Sequence, residues 1–447
     1  MTPALATERD ACAEVLRQRL EDRTRHDPSF WDFEDSPRRG GGHAFFQYPA
    51  MMVPELQGAL LDDLLAVQPN VKSVFDPFMG SGTVLLESIY RGLDFFGVDI
   101  NPMAVLLSHV KAAPPSIESA TRAVAATVDR AKKSDAPDFD FPNIQKWFTP
   151  SVRSELSRLR QAIMREPELE IRRFLWVCMA ETIRLVSSSR TSTVKLHAYS
   201  AEQLAARKPE AMSTFASIGM ANSHRAGDHW ERVSTRSGSE VRSPEVTLQR
   251  ASILSDIVGP SVVDAIMSSP PYGDNHTTVT YGQHSYLPLR WINERDLVGT
   301  LEPSLLASTG RIDHLSLGGS LLGALGSRAD LEAKSPTLAT FLPKIEGRPD
   351  LIKKVLSFSR DYDLALSRAS APLRIGGFSF WTLAERRVGG EQVPLILITE
   401  ELLAQHGQEK VHLITRRLPL KRKRMAGTNS IGSTMSREYV LVTAKVR

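Results

Sequence analysis

A glycine-rich turn follows the short apolar segment Val71–Phe75 and reads Asp76-Pro77-Phe78-Met79-Gly80-Ser81-Gly82-Thr83. Glycines let a backbone turn tightly and approach a ligand closely, and the amides that begin the following helix attract anionic groups. A phosphate-binding loop would need a lysine after Gly82, and none is present. Taken alone, the turn could also be a plain connection between a strand and a helix.

An acid stands at the end of the next apolar segment, Asp99 in Gly97-Val98-Asp99-Ile100-Asn101-Pro102. A carboxylate in this position can accept both hydrogen bonds of a ribose diol. Its spacing from the glycine turn is typical of a nucleoside-binding half of an α/β sheet. The alternative is that Asp99 caps the helix that follows.

A second motif, Ser268-Ser269-Pro270-Pro271-Tyr272-Gly273, follows the apolar segment Val262–Met267. It is expected at the carboxyl end of a strand, where α/β sheets bind ligands. The two prolines make the backbone rigid and remove two amide donors, which leaves carbonyl groups, the Ser269 hydroxyl and the Tyr272 ring. Acceptors that hold both N–H bonds of a nucleobase amine favour its reactive, pyramidal form as charge develops. Pro-Pro-Tyr is otherwise common in proline-rich ligands and loops, but a buried strand before it argues against that interpretation.

These motifs need a parallel sheet to position them. A strand, glycine turn, helix, strand and acid in this order are half of a doubly wound α/β sheet. Residues 54–67 predict a helix ahead of it, because Leu56, Leu60 and Leu64 share one face. Strands are predicted at 246–253, 262–267, 378–388, 411–417 and 438–446, the last two as an antiparallel pair, and helices at 351–370 and 394–405.

Two long segments interrupt the α/β pattern. Residues 116–133 and 151–187 have helical periodicity, whereas 188–243 is rich in Ser, Arg, His and Gly and predicts a polar, loop-rich region. The domain boundaries that we predict are 1–42 for a helical N-terminal arm ending in a flexible glycine run, 43–115 for the cofactor-binding half, 116–245 for a helical insertion, 246–290 for the second motif, 291–350 for a second insertion, and 351–447 for the C-terminal part.

Together, the glycine turn and Ser269-Pro270-Pro271-Tyr272 resemble the motifs of the amino-directed DNA methyltransferases, N4-cytosine and N6-adenine, of bacterial restriction-modification and defence systems. The pair of motifs is highly specific. The resemblance covers roughly 43–115, 246–290 and 355–447 and leaves out both insertions. The order of the motifs differs from that of the permuted class of the family, and the long insert between them departs from the compact arrangement.

The resemblance implies a Rossmann-like class I methyltransferase sheet with a C-terminal antiparallel strand pair, a helical insertion and S-adenosylmethionine as the cofactor. Double-stranded DNA is the implied partner, and a cognate restriction endonuclease is left open. The implied cofactor residues are Tyr48, Pro49, Asp76, Pro77, Phe78, Gly80, Gly82, Thr83, Asp99, Asn101 and Asp256, and the implied catalytic residues are Ser269, Pro270, Pro271 and Tyr272.

Serine at the first position of the second motif favours cytosine N4 as the target, with adenine N6 as the alternative. Other enzymes of planar amines, acting on a guanine amine in RNA or a glutamine amide in a protein, usually carry Asp or Asn at that position. An inactive nucleic-acid-binding relative would be expected to have lost Gly80, Gly82, Asp99 or Tyr272, all of which are present.

Composition agrees with an ordinary soluble protein. Of the 447 residues, 42% are hydrophobic and 24% charged, and the net charge is +4. The N-terminus lacks a signal-peptide core and no apolar run is long enough to cross a bilayer, so we expect a cytoplasmic protein without a membrane partner. The histidines and two cysteines lack metal-ligand spacing, and no metal is expected. The basic run Lys421, Arg422, Lys423 and Arg424 is either a solvated turn or a contact to DNA phosphates.

Overall fold

The computed structural model describes residues 3–34, 40–236, 243–255, 257–274, 278–418 and 436–447. Several residues singled out above lie outside these ranges, so their predicted roles stay predictions. They are Asp256 and the basic run Lys421, Arg422, Lys423 and Arg424.

A seven-stranded sheet lies at the centre of the molecule, and a separate two-stranded hairpin stands beside it. The strands are β1 Ser73–Asp76, β2 Asp94–Asp99, β3 Val246–Arg250, β4 Val263–Ser268, β5 Leu373–Leu383, β6 Arg386–Val388, β7 Glu391–Val393, β8 Gln408–Arg417 and β9 Arg437–Lys445. The sheet order is β3-β2-β1-β4-β5-β9-β8, with β6 and β7 forming the hairpin. The first five strands in this order, β3, β2, β1, β4 and β5, pair in parallel. Strand β9 runs antiparallel to β5 and β8. The predicted α/β sheet with a C-terminal antiparallel pair is thereby confirmed.

Helices cover both faces of the sheet and form the first insertion. They are α1 Pro3–His26, α2 Pro54–Val67, α3 Thr83–Ile89, α4 Pro102–Ala112, α5 Ile117–Lys132, α6 Ile144–Trp147, α7 Pro150–Met164, α8 Leu169–Val186, α9 Ala201–Ala206, α10 Ala211–Arg236, α11 Tyr281–Trp291, α12 Arg311–His314, α13 Arg328–Lys334, α14 Pro336–Phe341, α15 Pro349–Ser370 and α16 Leu395–Gln405. No helix in the described part of the chain combines the length and apolarity that a bilayer crossing needs.

The predicted loop-rich region at 188–243 is wrong for its second half, which is the 26-residue helix α10. Apart from Phe215, the fully buried side chains on its inner face are small or polar, among them Ala211, Asn222 and Ala226, so the hydrophobic period is weak in the sequence. Gly219 allows close packing, since a Cβ there would lie 2.6 Å from Val124 Cγ1 on α5. The buried Asn222 amide donates to the Phe45 carbonyl at 3.0 Å.

The predicted flexible run at Gly40-Gly41-Gly42 is also wrong. Residues Gly41–Ala44 form a 3-10 helix, and both Gly42 and His43 are buried. The His43 Nε2 atom lies 3.0 Å from Glu87 Oε1 on α3. Tertiary packing against α3 and α10 therefore orders a segment that the glycines alone would leave mobile.

The C-terminal strands begin and end differently from the prediction. Gly376, at φ +77°, lies inside β5, which begins before the predicted residue 378, and it coincides with a bulge in the pairing of β5 with β4. The strand predicted at 378–388 divides into the end of β5 and the hairpin strand β6. Strand β3 ends at Arg250, and the residues after it turn into the cleft described below.

Candidate active site

A cleft opens at the carboxyl ends of β1, β2, β3 and β4. Both sequence motifs reach it, as the topology of parallel strands requires. The predicted site residues that line it are Tyr48, Pro49, Pro77, Phe78, Gly80, Thr83, Asp99, Asn101, Ser269 and Pro271. Four other predicted residues, Asp76, Gly82, Pro270 and Tyr272, are not part of its lining.

The glycine turn approaches the cleft in a conformation that favours glycine. Gly80 and Gly82 have φ values of +48° and +70°. A Cβ on Gly82 would also lie 2.8 Å from Ser108 Oγ. The buried Lys111 ammonium donates to the Ser81 carbonyl at 2.7 Å. The Lys111 hydrogen bond therefore fixes the backbone of the turn. Gly82 allows the tight conformation of the turn but is not part of the cleft lining.

Asp99 connects the end of β2 to the glycine turn. Its Oδ2 accepts a hydrogen bond from the Gly80 amide at 2.9 Å, and its Oδ1 accepts one from the Asn101 amide at 2.7 Å. Burial raises the pKa of Asp99 to about 6, although these two backbone donors oppose the shift. Each carboxylate oxygen can accept a further hydrogen bond, so Asp99 can hold a ligand diol.

The helix cap after β2 is Asn101, not Asp99. Its side-chain oxygen accepts from the Met103 amide at 3.1 Å at the start of α4. Its amide nitrogen donates to Tyr48 Oη at 3.0 Å and to Ser285 Oγ at 2.8 Å. Asn101 therefore joins the N-terminal segment and α11 to the rim of the cleft.

Two aromatic rings form one wall of the cleft. Tyr48 stacks on Tyr281, with ring centroids 5.7 Å apart and planes 24° apart. Burial raises the pKa of both hydroxyls well above their ordinary range, so both side chains are neutral. A neutral aromatic wall suits a flat, uncharged group such as a purine.

Asp76 lies beneath the cleft and connects the two motifs. It is fully buried, and its Oδ1 accepts hydrogen bonds from Ser268 Oγ at 2.6 Å and from the Phe78 amide at 3.0 Å. Burial raises its pKa to about 7. Its Oδ2 has no hydrogen-bond partner among the described residues. Asp76 thus ties the first motif to the residue before Ser269.

Tyr272 faces a second, small cavity, whose lining also includes Gly273 and Arg386. Its hydroxyl lies 3.1 Å from Ser269 Oγ and donates to Glu438 Oε1 at 3.4 Å. Burial raises the pKa of Tyr272 well above its ordinary value. The tyrosine ring therefore lies on the side of the second motif away from the glycine turn, with Ser269 between the two cavities.

Other residues of the site lie outside the two sequence motifs, so the sequence alone did not indicate them. Glu438, in β9, contacts Tyr272 and receives an ion pair from the buried Arg416 at 2.9 Å. Neither residue stands near Tyr272 in the chain, so sequence spacing carries no signal of the contact. Further cleft residues come from the segment around Tyr48, the end of β3 and the second insertion: Ala50, Met51, Met52, Ala251, Ser252, Ile253, Ile312, Ser316 and Leu317. Within the described ranges, no three His, Cys, Asp or Glu side chains are placed to hold a metal ion.

The chain is similar to named methyltransferases. It is 28% identical over 422 residues to Type II methyltransferase M.MvaI of Kocuria varians, which covers 90% of each chain. A 70-residue segment, 15% of this chain and 12% of the relative, is 34% identical to Type II methyltransferase M.MjaII of Methanocaldococcus jannaschii. No protein-family model matches the chain.

Two solved structures of the rRNA methyltransferase aviRa from Streptomyces viridochromogenes match 90% of both chains at 10% identity, with a TM-score of 0.33. A TM-score this low supports no argument about the chain. The similarity to M.MvaI, in contrast, extends over nearly the whole sequence. Together with the two motifs that meet at one cleft, this similarity supports a methyltransferase function with S-adenosylmethionine as the methyl donor.

Proposed function

We propose that the chain methylates the exocyclic amine of a flipped base in double-stranded DNA, at N4 of cytosine. The observation that carries the proposal is that Asp99 and Ser269 line one cleft, with their motifs joined underneath by the hydrogen bond from Ser268 to Asp76. The similarity to type II methyltransferases supports DNA as the substrate. A base in a duplex must be unstacked before its amine is accessible.

The residues present fit the cofactor. Asp99 offers acceptors for a ribose diol, the glycine turn brings backbone amides close, and Tyr48 and Tyr281 form an aromatic wall. When bound, S-adenosylmethionine supplies a methyl group on a positively charged sulfur. Asp256 is assigned to the adenine amino group by resemblance, and it lies outside the described residues.

Ser269 and the neighbouring carbonyls are the acceptors for the target amine. Holding both N–H bonds favours a pyramidal nitrogen with an available lone pair as charge develops. With the cofactor bound, the amine would take the methyl group directly: the N–C bond would form as the S–C bond breaks, and the nitrogen would release one proton to solvent, without covalent catalysis by a protein nucleophile. Methylation at a ring carbon would need an activated thiolate, and Cys178 is buried with its pKa raised to about 12.

Cytosine is favoured by the resemblance, since similar amino-methyltransferases that act on cytosine mostly carry serine at the position of Ser269. The serine hydroxyl can accept from the amine and donate to ring N3, although adenine offers a similar amine and ring nitrogen. We expect nucleoside mass spectrometry of DNA from a host that expresses the protein to detect N4-methylcytosine, with a Ser269→Ala variant as the control. Detection of N6-methyladenine would contradict the cytosine assignment but would agree with direct transfer to an exocyclic amine. Detection of 5-methylcytosine would contradict both.

We propose that the insertions recognise DNA, and that the best candidate is the polar segment 187–200 between α8 and α9. An isolated bridge between Ser189 and Ala198 closes the segment, and its Leu196 amide donates to Gln283 on α11 at 3.3 Å. Arg190 and Lys195 are exposed on it. Arg207, in contrast, donates to two backbone carbonyls and covers the Tyr199 ring.

Replacing both Arg190 and Lys195 with alanine is expected to weaken DNA binding at every sequence. If each contacts one phosphate, the slope of log affinity against log salt should fall by about two. Fluorescence anisotropy of labelled duplexes at several salt concentrations measures this slope. The control replaces the exposed pair Lys132 and Lys133 at the end of α5. An equal effect of the two double substitutions would contradict the assignment.

A further inference from the structure

The loop that follows α12 exposes an unusual number of leucines. Leu315, Leu321, Leu322 and Leu325 are exposed, and Leu322 has 86% of its surface accessible. Single exposed leucines are normal in proteins, whereas several together indicate an interaction surface. We call Leu321 and Leu322 the apolar tip.

The apolar tip is held by hydrogen bonds to its backbone. From α15, Ser357 Oγ donates to the Ser320 carbonyl at 2.6 Å and Arg360 Nη1 donates to the Leu322 carbonyl at 2.7 Å. At the base of the loop, the Gly318 amide donates to Asp361 Oδ2 at 2.9 Å. These contacts present the two leucines on a fixed backbone, so little conformational entropy remains to be lost on binding.

The loop also borders the active site. Ser316 and Leu317 line the cofactor cleft, and a Cβ on Gly318 would lie 3.4 Å from Asp274 Cβ. Asp274 comes two residues after Tyr272. The loop that carries the apolar tip therefore passes beside the end of the second motif, near the Ser269 hydroxyl that is proposed to hold the target amine.

The charge around the tip suits a polyanion. The sequence contains no Asp or Glu from His314 to Ala329, and the exposed Arg311 lies three positions before this stretch, with the buried Asp313 between them. An acid-free, apolar projection beside a cation is compatible with the phosphate-lined surface of a duplex. Apolar side chains of this kind are known to enter between base steps.

We propose that Leu321 and Leu322 insert into the DNA stack beside the target base and occupy the space that the base leaves when it flips. The inference rests on the proposed function. Flipping removes the stacking of the target base, and an apolar side chain in the gap shields the neighbouring bases from water. The apolar tip thereby stabilises the extrahelical state of the base.

The test compares two duplexes that carry the same recognition site, one fully paired and one with an abasic site opposite the target base. We expect the double variant Leu321→Ala, Leu322→Ala to lose about tenfold or more in kcat/KM on the paired duplex. On the abasic duplex, where the base is already unpaired, the loss should be at most about threefold. The matched control is Leu397→Ala, an exposed leucine on α16, which should behave as wild type on both.

Equal losses of kcat/KM on the two duplexes, or no loss on either, would overturn the proposal that the leucines insert into the DNA stack. Cofactor affinity measured by calorimetry should be unchanged in the double variant, since a loss there would indicate damage to the cleft. Light scattering should show the same mass for wild type and variant, because a change in mass would assign the leucines to contact with a second copy. A wild-type protein that methylates neither duplex would contradict the proposed function itself.

Discussion

Replacing Tyr272 with alanine is expected to reduce methyl transfer at least about tenfold while leaving the affinity for S-adenosylmethionine nearly unchanged. The proposed role of the ring is to stack on the flipped base, and such stacking is worth about 1–3 kcal/mol per base. The ring lines the second cavity, apart from the cofactor cleft. Single-turnover kinetics with saturating DNA, together with calorimetric titration of the cofactor, separate the two quantities.

A Tyr272→Phe variant is the matched control. It keeps the ring and loses the hydroxyl, which lies near Ser269 and donates to Glu438. If stacking is the main contribution, phenylalanine should retain most of the activity. Equal impairment by alanine and phenylalanine would show that the hydroxyl, by orienting Ser269, matters more than the ring.

Replacing Asp99 with alanine is expected to weaken cofactor binding several-fold at the least. A hydrogen bond to a charged group contributes about 1.5–3 kcal/mol, and the carboxylate is proposed to accept from both hydroxyls of the ribose. The substitution also leaves the Gly80 and Asn101 amides without their acceptor, which should loosen the glycine turn. Isothermal calorimetry measures the effect, and unchanged affinity would remove Asp99 from the cofactor site.

The same carboxylate predicts a pH dependence. Because burial raises the pKa of Asp99 to about 6, the ionised form that accepts two hydrogen bonds is depleted as the pH falls through that value. Cofactor affinity should therefore decrease below about pH 6 and level off above it. An Asp99→Asn variant should lack this inflection, and its persistence in the variant would assign the titration to another group.

The parts of the fold predicted well from sequence are those whose local pattern of apolar, glycine and acidic residues matches their position in the sheet. β1, the glycine turn and β2 are short apolar segments punctuated by residues that their geometry requires. Helix α10 lacked such a signal because its buried positions include Ala211, Asn222 and His229. Its stability depends on packing with α5 and α8, which no window of the sequence contains.

The candidate site likewise contains some residues that local sequence indicates and others that only the tertiary structure brings in. Residues within the two motifs could be named from chemistry and resemblance, whereas Ile312 and Leu317 reach the cleft only because the second insertion folds back across it. Tyr272 was named as part of the motif, but its position between Ser269 and Glu438 depends on β9. Contacts between distant segments were thus the information that the sequence lacked.

The hydrogen bond between Ser268 and Asp76 joins residues 192 positions apart in the chain. Neighbouring central strands β1 and β4 can pair only after this long loop has closed, and such non-local pairing slows folding. A partly folded chain that has ordered its helical insertion therefore still lacks the cofactor cleft. A ligand that binds only the completed sheet shifts the folding equilibrium by mass action. S-adenosylmethionine should accordingly act as a stabiliser of the whole tertiary structure, with cellular cofactor supply influencing how much native enzyme persists.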